Sequence, residues 1–334
     1  MLRVGIIGLG DIAHIHVPLI NKSEKVKLVA ICDIDESKRD FVKDVNFYTN
    51  YEEMVEKENL DIVHVCLPHY LHYPVTKFLV ENNVHVLQEK PLTLDYKEAL
   101  KAIELSKNTD AKIAVCFQNR RNASVIKLLE MVASEDYGKV KGVKGLVAWA
   151  RPKAYYEDKC WRGTWKYAGG GAMINQSIHT LDIMQLVGKN IISVTGSTSQ
   201  LLDYEIEVED TVVANIEFEN DVKGFYMATN ANVVNDSVEI KVYLEKAELT
   251  IRNSKLYITD DKHDELELIE DATLGGPKSY YGASHEIIFE EFYDAVINDT
   301  DDYVTVEDAA VSIKMIDAIH ISSKEKRKVK MEEV

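Results

Sequence analysis

The first thirty-three residues restrict the architecture more than any other stretch of the chain. Leu2-Arg3-Val4-Gly5-Ile6-Ile7 is an apolar run bounded by glycine, long enough for one buried parallel strand. Gly8-Leu9-Gly10-Asp11-Ile12-Ala13 follows and opens a helical stretch to about Ile20. In this G-x-G-x-x-A spacing the first glycine makes the tight turn and the second lets backbone approach a pyrophosphate. Ala13 need only be small for helix and strand to pack. The N–H groups where the helix opens, around Asp11, Ile12 and Ala13, are a natural seat for phosphates. A second apolar run, Val26 to Cys32, ends in Asp33, where the fingerprint places an acid. Strand, turn, helix, strand and acid in that order predict dinucleotide binding. Asp33 accepts both ribose hydroxyls of NAD and repels a 2′-phosphate. Ile34 follows it where an arginine would suit NADP, with Lys38 and Arg39 a turn further on. NAD is the expected cofactor and NADP the less favoured one.

Downstream, strands and helices alternate as a parallel sheet requires. Strands are expected at Asp61 to Cys66, His85 to Gln88 and Lys112 to Phe117, with helices at Tyr73 to Glu81 and Asp95 to Lys107. Ligands bind at the carboxyl ends of such strands, where Leu67-Pro68-His69-Tyr70-Leu71-His72 and Glu89-Lys90-Pro91 fall. After a helix at about Ala123 to Ala133 the pattern turns to alternating strands near residues 140–150, 192–198, 211–218, 224–230 and 237–244. Glu219-Asn220-Asp221 reads as a hairpin turn. A helix over Ala172 to Leu186 and a closing pair, roughly His285 to Ile297 and Val306 to Ser323, complete the chain. The fold class expected is α/β: an N-terminal Rossmann domain with a doubly wound parallel sheet over residues 1–120, then a C-terminal α+β domain over 121–334 with a large, open, mostly antiparallel sheet.

Composition agrees. A chain of 334 residues is natural for two domains, and 46% hydrophobic residues suffice for two cores. The net charge of −17 argues against nucleic acid or an anionic membrane as partner. No stretch approaches eighteen uninterrupted apolar residues and the first residues lack a signal-peptide pattern. The four cysteines, Cys32, Cys66, Cys116 and Cys160, share no metal-ligand or disulfide spacing. A cytoplasmic protein without a metal is the expectation.

Two separated stretches carry the expected chemistry. One is Glu89-Lys90-Pro91. The other is Gly169-Gly170-Gly171 followed by Asn175, His179 and Asp182, which share one face of the helix expected over residues 172–186. A lysine and a histidine beside a bound cofactor make a proton-handling pair.

With Gly8 to Ala13, Asp33, Pro68 to His72, Glu89-Lys90-Pro91, the Gly169 to Gly171 run and His179 together, the chain resembles the Gfo/Idh/MocA family of NAD(P)-dependent oxidoreductases over nearly its whole length. The resemblance implies a C-terminal sheet that mediates oligomerisation, as a homodimer or homotetramer. It implies that Lys90 hydrogen-bonds the reacting hydroxyl near the nicotinamide and that His179 is an acid/base. Asn175 stands where many inositol-dehydrogenase-like members carry aspartate; an amide takes no proton, so Asn175 would orient substrate. Asn175-Gln176 is similar to members acting on amino- or nucleotide-sugars, often at C3. His69 replaces a frequent asparagine, and His69 and His72 would contact the nicotinamide-side ribose or pack the loop. Trp161 and Arg162 resemble a loop over the cofactor, where Arg162 would meet pyrophosphate or an anionic substrate group; Trp165 is expected to pack between domains. Gln118 and Arg120 would face the cleft, and Tyr281 and His285 a substrate pocket.

The reaction implied is hydride transfer between nicotinamide and a secondary hydroxyl of a small carbohydrate or cyclitol, with Lys90 or His179 taking the proton. Two alternatives stand beside it: a lyase or glycosidase that recycles its NAD, and a non-catalytic NAD(H) sensor.

Overall fold

The computed structural model describes residues 1–159, 161–272 and 284–334. The chain divides into two compact units, Met1–Gln118 with Ser284–Ala310, and Asn119–Ala283 with Val311–Val334.

The first unit runs β1 (Leu2–Ile7), α1 (Ala13–Lys22), β2 (Val26–Cys32), β3 (Asn46–Tyr48), α2 (Tyr51–Glu58), β4 (Ile62–Val65), α3 (His72–Glu81), β5 (His85–Glu89), α4 (Tyr96–Lys107) and β6 (Ile113–Cys116). All six strands are parallel, in the order β3-β2-β1-β4-β5-β6, the doubly wound Rossmann arrangement. Val4, Ile6, Ile31, Ile62, Val63, Val86 and Leu87 fill its centre, which is why these strands read as continuous apolar runs. Helix starts are marked by side chains: Asn50 accepts the N–H groups of Glu52 and Glu53, and Asp95 that of Glu98. A late helix, His285–Asn298, joins this unit and buries Ile288, Phe289, Phe292 and Tyr293. Each such side chain contributes about 1.5–3 kcal/mol.

The second unit holds α5 (Ala123–Ser134), β7 (Val140–Ala148), α6 (Lys153–Glu157), α7 (Trp165–Ala168), α8 (Ala172–Asn175), α9 (Ile178–Gly188), β8 (Ile191–Ser199), β9 (Thr211–Phe218), β10 (Lys223–Thr229), β11 (Glu239–Leu244), β12 (Ala247–Arg252), β13 (Lys255–Asp260) and β14 (His263–Glu270). In chain order the late helix is α10; α11 (Val306–Glu325) and β15 (Val329–Lys330) follow it. The nine strands lie in the order β14-β13-β12-β11-β7-β10-β9-β8-β15, antiparallel except for the parallel pair β7 and β10. The Glu219–Asp221 turn closes the β9–β10 hairpin, with Asn220 at φ 59°. Strands β12 to β14 widen the sheet beyond the five expected. Helix α9 lies against β7 at Gly145, where a Cβ would come within 2.5 Å of the Met184 sulfur and 2.6 Å of Thr180 Cγ2.

The single helix expected over residues 172–186 is broken at Gln176 and Ser177 into α8 and α9. Ser177 donates both its N–H and its hydroxyl to the Ala172 carbonyl, at 3.0 and 2.7 Å. A serine that bonds back to the preceding turn competes with the helical ladder. Asn175 and His179 therefore sit on two consecutive helices rather than one face.

Candidate active site

In the first unit the candidate groups gather along the carboxyl edge of the parallel sheet. Gly8 has φ +94° and donates its N–H to Cys32 O at 2.8 Å; a Cβ there would stand 2.5 Å from the Cys66 carbonyl. Only glycine meets both demands. At Gly10 the opposite holds: a Cβ would meet nothing within 4 Å, so the turn leaves clear space where backbone is expected to approach a phosphate. Asp33 Oδ2 accepts the Leu9 N–H at 2.7 Å and Oδ1 the Asp35 N–H at 3.0 Å, which ties the acid at the end of β2 to the glycine turn. Ala13 is buried beneath it and Asp11 and Ile12 lead into α1. Ile34 is exposed and Lys38 ends a 3₁₀ turn, Glu36–Lys38. At the carboxyl end of β6, the Gln118 amide oxygen is buried without a hydrogen-bond partner among the described residues. Open turn, anchored acid and orphaned amide fit a dinucleotide.

Leu67 and Pro68 follow β4 and lead into a 3₁₀ turn, His69–Leu71. Of the two roles expected of His72, ribose contact and loop packing, its geometry fits the second. It is wholly buried, with Nδ1 2.6 Å from the Pro91 carbonyl and Nε2 2.8 Å from that of Leu67. Burial holds its pKa below the ordinary value, and a neutral ring donates to one of the two carbonyls at a time. It braces the loop that carries Lys90. His69 is also buried, its ring 5.8 Å from that of His72.

Glu89 ends β5 and Lys90 is half-buried beside it. Burial alone would raise the Glu89 pKa; the hydrogen bond and charge of His16 outweigh it and hold the carboxyl down at about 2. His285, expected at a substrate hydroxyl, is fully enclosed in the core of this unit. Its Nε2 is 3.9 Å from Glu89 Oε1 and its ring packs near His16 and Phe289. No face of the ring is left for a substrate.

In the second unit the glycine run is held by a residue that local sequence reasoning missed. Glu209, itself buried, accepts the Gly171 N–H with both carboxylate oxygens at 3.0 Å and the Met173 N–H at 3.1 Å. A Cβ on Gly171 would lie 1.7 Å from the Glu209 carbonyl oxygen. This strut sets where α8 begins and hence where Asn175 and the half-buried His179 stand. Asn175 and Gln176 both donate to the Tyr155 hydroxyl, at 3.0 and 2.7 Å, and burial raises the Tyr155 pKa. Arg162 lies over the Tyr155 ring at 4.1 Å and near that of Trp161 at 5.5 Å. Trp165 donates its indole N–H to Glu207 O at 3.0 Å. Arg120, expected to face substrate, forms a buried two-point pair with Asp182 at 2.7 and 2.8 Å. That pair ties the Gln118–Arg121 turn to α9. Tyr281 and Cys160 lie outside the described residues.

Among the described residues no helix is long and apolar enough to cross a membrane. Two models of one oxidoreductase family match the chain: its NAD-binding Rossmann fold over residues 2–117 and its C-terminal alpha/beta domain over residues 129–331. Myo-inositol 2-dehydrogenase of Thermotoga maritima is 26% identical, in an alignment spanning all of this chain and 99% of that protein. Among solved structures, the WlbA dehydrogenase of Bordetella pertussis, crystallised with NADH and UDP-GlcNAcA, is 22% identical with a TM-score of 0.85, covering 98% of both chains. An Agrobacterium radiobacter oxidoreductase in complex with NAD+, L-tartaric acid and magnesium is 15% identical with a TM-score of 0.89, covering 99% of this chain and 98% of that one. These two likenesses speak to the fold alone. The family models between them take in almost every residue from the glycine turn to the last strand, and the chain belongs to the Gfo/Idh/MocA oxidoreductase family.

Proposed function

We propose that this protein is an NAD-dependent dehydrogenase that moves a hydride between nicotinamide and a secondary hydroxyl of a sugar, sugar derivative or cyclitol. One observation carries the reading. Lys90 follows β5 on the same carboxyl edge that bears the glycine turn after β1 and Asp33 after β2, so the expected cofactor groups and Lys90 share one rim. Residues 1–120 supply the cofactor domain and 121–334 the substrate and oligomerisation domain, with Ser284–Ala310 returning to the first unit.

NAD is held, in this reading, by Gly8, Gly10, Asp11, Ile12 and Ala13 at its phosphates and by Asp33 at its adenosine ribose. Leu67, Pro68 and Gln118 line its nicotinamide side. When bound, NAD supplies the hydride acceptor. Asp33, fixed by the Leu9 N–H, favours a ribose diol and repels a 2′-phosphate. Lys90 and His179 hold and move the hydroxyl proton. Asn175 and Gln176, engaged with Tyr155, orient substrate by hydrogen bonding. Their pairing supports an amino- or nucleotide-sugar oxidised at C3 as the narrower substrate class. A homodimer or homotetramer stays part of the proposal.

The test is absorbance at 340 nm with NAD⁺ and NADP⁺ across hexoses, inositols, sugar phosphates and UDP-sugars. NADH accumulating with one class, and Lys90→Met losing roughly 10²–10⁴-fold in turnover with NAD binding intact, is the expected result. Full turnover in Lys90→Met would remove the lysine from the chemistry. Asp33→Ala should weaken NAD and narrow its lead over NADP; unchanged NAD affinity would remove that assignment.

A further inference from the structure

The core of the first unit contains a line of polar side chains that a dinucleotide fold does not require. His16, His64 and Tyr293 are fully buried and Glu89 is 6% exposed. They connect end to end: Tyr293 hydroxyl to His64 Nε2 at 3.0 Å, His64 Nδ1 to His16 Nδ1 at 2.8 Å, and His16 Nε2 to Glu89 Oε1 at 3.0 Å. The residues come from α10, β4, α1 and β5.

The middle contact fixes the chemistry. Two Nδ1 atoms 2.8 Å apart have room for one proton between them, so the protonation of one ring dictates that of the other. Two arrangements pair every ring nitrogen along the line. In the first, Tyr293 O–H donates to His64, His64 Nδ1–H donates to His16, and His16 Nε2–H donates to the Glu89 carboxylate; the line has a charge of −1. In the second, one added proton makes His16 an imidazolium that donates to both Glu89 and His64. His64 then donates its Nε2–H to the Tyr293 oxygen, whose own O–H turns away from the ring, and the line is neutral. The step adds one proton, breaks no covalent bond between heavy atoms and leaves no donor facing a donor.

Little else nearby changes charge. His16 faces His64, Cys66, Glu89 and, from α10, His285 and Phe289. Glu89 faces His16, His285, Cys116 and Lys90, and Tyr293 feels Glu290. Burial holds the Cys66 and Cys116 thiols protonated and His285 neutral down to about pH 4. Burial likewise keeps His64 from carrying the added charge, which leaves it on His16 beside Glu89.

We propose that Tyr293, His64, His16 and Glu89 form a one-proton store that sets the charge next to Lys90. An empty line favours the protonated lysine and a filled line favours the lysine as proton acceptor. All four are positioning residues acting through Lys90, and this step rests on the dehydrogenase reading above.

The experiment is histidine-¹⁵N NMR on the full-length protein, followed by kcat against pH with the substrate found in the panel. In the wild type both rings should change at one common midpoint, His16 by gaining the proton and His64 by moving its N–H from Nδ1 to Nε2. Tyr293→Phe removes a single hydroxyl and keeps the ring. It should shift that midpoint, and the pH limb of kcat should move with it by about one unit while KM for NAD stays unchanged. His64→Phe, the second variant, should abolish the common midpoint. Separate midpoints for His16 and His64 would overturn the store. So would a kcat limb that stays fixed while the midpoint moves. One equivalent of zinc retained by the purified protein and lost in His285→Asn would also overturn it, in favour of a metal held by Glu89, Cys116 and His285. If no substrate in the panel yields NADH with the wild type, the dehydrogenase reading fails, and the NMR midpoint still decides whether the store exists.

Discussion

Glu89 and Glu209 are both buried carboxylates one step from the residues expected to do chemistry, yet they are held in different ways. Glu89 meets an imidazole, His16, at 3.0 Å. Glu209 meets the backbone N–H groups of Gly171 and Met173, with His320 3.3 Å away at its rim. An imidazole gains and loses a proton near neutrality; a backbone amide does not. A carboxylate that serves as a strut is best held by fixed donors. One beside a lysine proposed to transfer protons gains from a partner whose charge can change.

The strut gives the largest expected effects. Gly171→Ala would drive a Cβ to 1.7 Å from the Glu209 carbonyl oxygen, a backbone atom that cannot swing aside as a side chain would. We expect a loss of about 4 kcal/mol or more in urea unfolding; a loss near zero would mean that the glycine run bends freely. Glu209→Ala leaves two buried N–H groups without their acceptor and should cost about 3 kcal/mol. In a His320→Asn background, where only those fixed donors meet the carboxylate, the cost should be the same at pH 6 and pH 8, and a strong pH dependence would erase the contrast with Glu89.

The smallest effect belongs to the imidazole-rich core and is a slope. Burial holds the His285 pKa down at about 4, below its ordinary value of roughly 6.5. As pH falls through that window the unfolded chain takes up a proton that the folded one refuses, so stability falls with pH. Full stability is present above about pH 6.5, and the loss by pH 4 is about 2–3 kcal/mol. Glu89, depressed to about 2, continues the loss below about pH 4.5. Urea midpoints at several pH values should show this slope in the wild type and a flatter one in His285→Phe. A flat wild-type profile would remove the distinction between the two carboxylates.

Most of the first unit was legible because its signals are local. A buried parallel strand is a continuous apolar run, and the glycine turn, Asp33 and Glu89-Lys90-Pro91 each announce themselves within a few residues. Strand β3 is three residues long and half-exposed, and α2 buries only Met54 and Glu58, too little to stand out as a pattern. In the second unit, Leu249 with Ile251 and Leu256 with Ile258 carry an alternation that would mark β12 and β13, yet neither strand is among the five expected. The break at Ser177 has no such mark, since a serine inside an apolar helical pattern is ordinary. Partnerships across the chain were beyond reach: Glu209 lies 38 residues from Gly171, His64 lies 48 from His16, and Tyr293 lies 229 from His64. A lone histidine gives no sign of which distant ring it will meet.

Helix α10 also governs the order in which the protein can be made. Domains generally fold as they leave the ribosome, N-terminal first. Here residues 1–118 emerge long before Ser284–Ala310, the segment that completes their unit. Until Phe289, Phe292 and Tyr293 arrive, the parallel sheet has apolar surface with nothing to cover it, and His64 and Glu89 lack neighbours that the finished core provides. The first unit to be synthesised is thus closed only when nearly the whole chain exists, and a gene fragment ending at residue 120 encodes a nucleus in need of its lid.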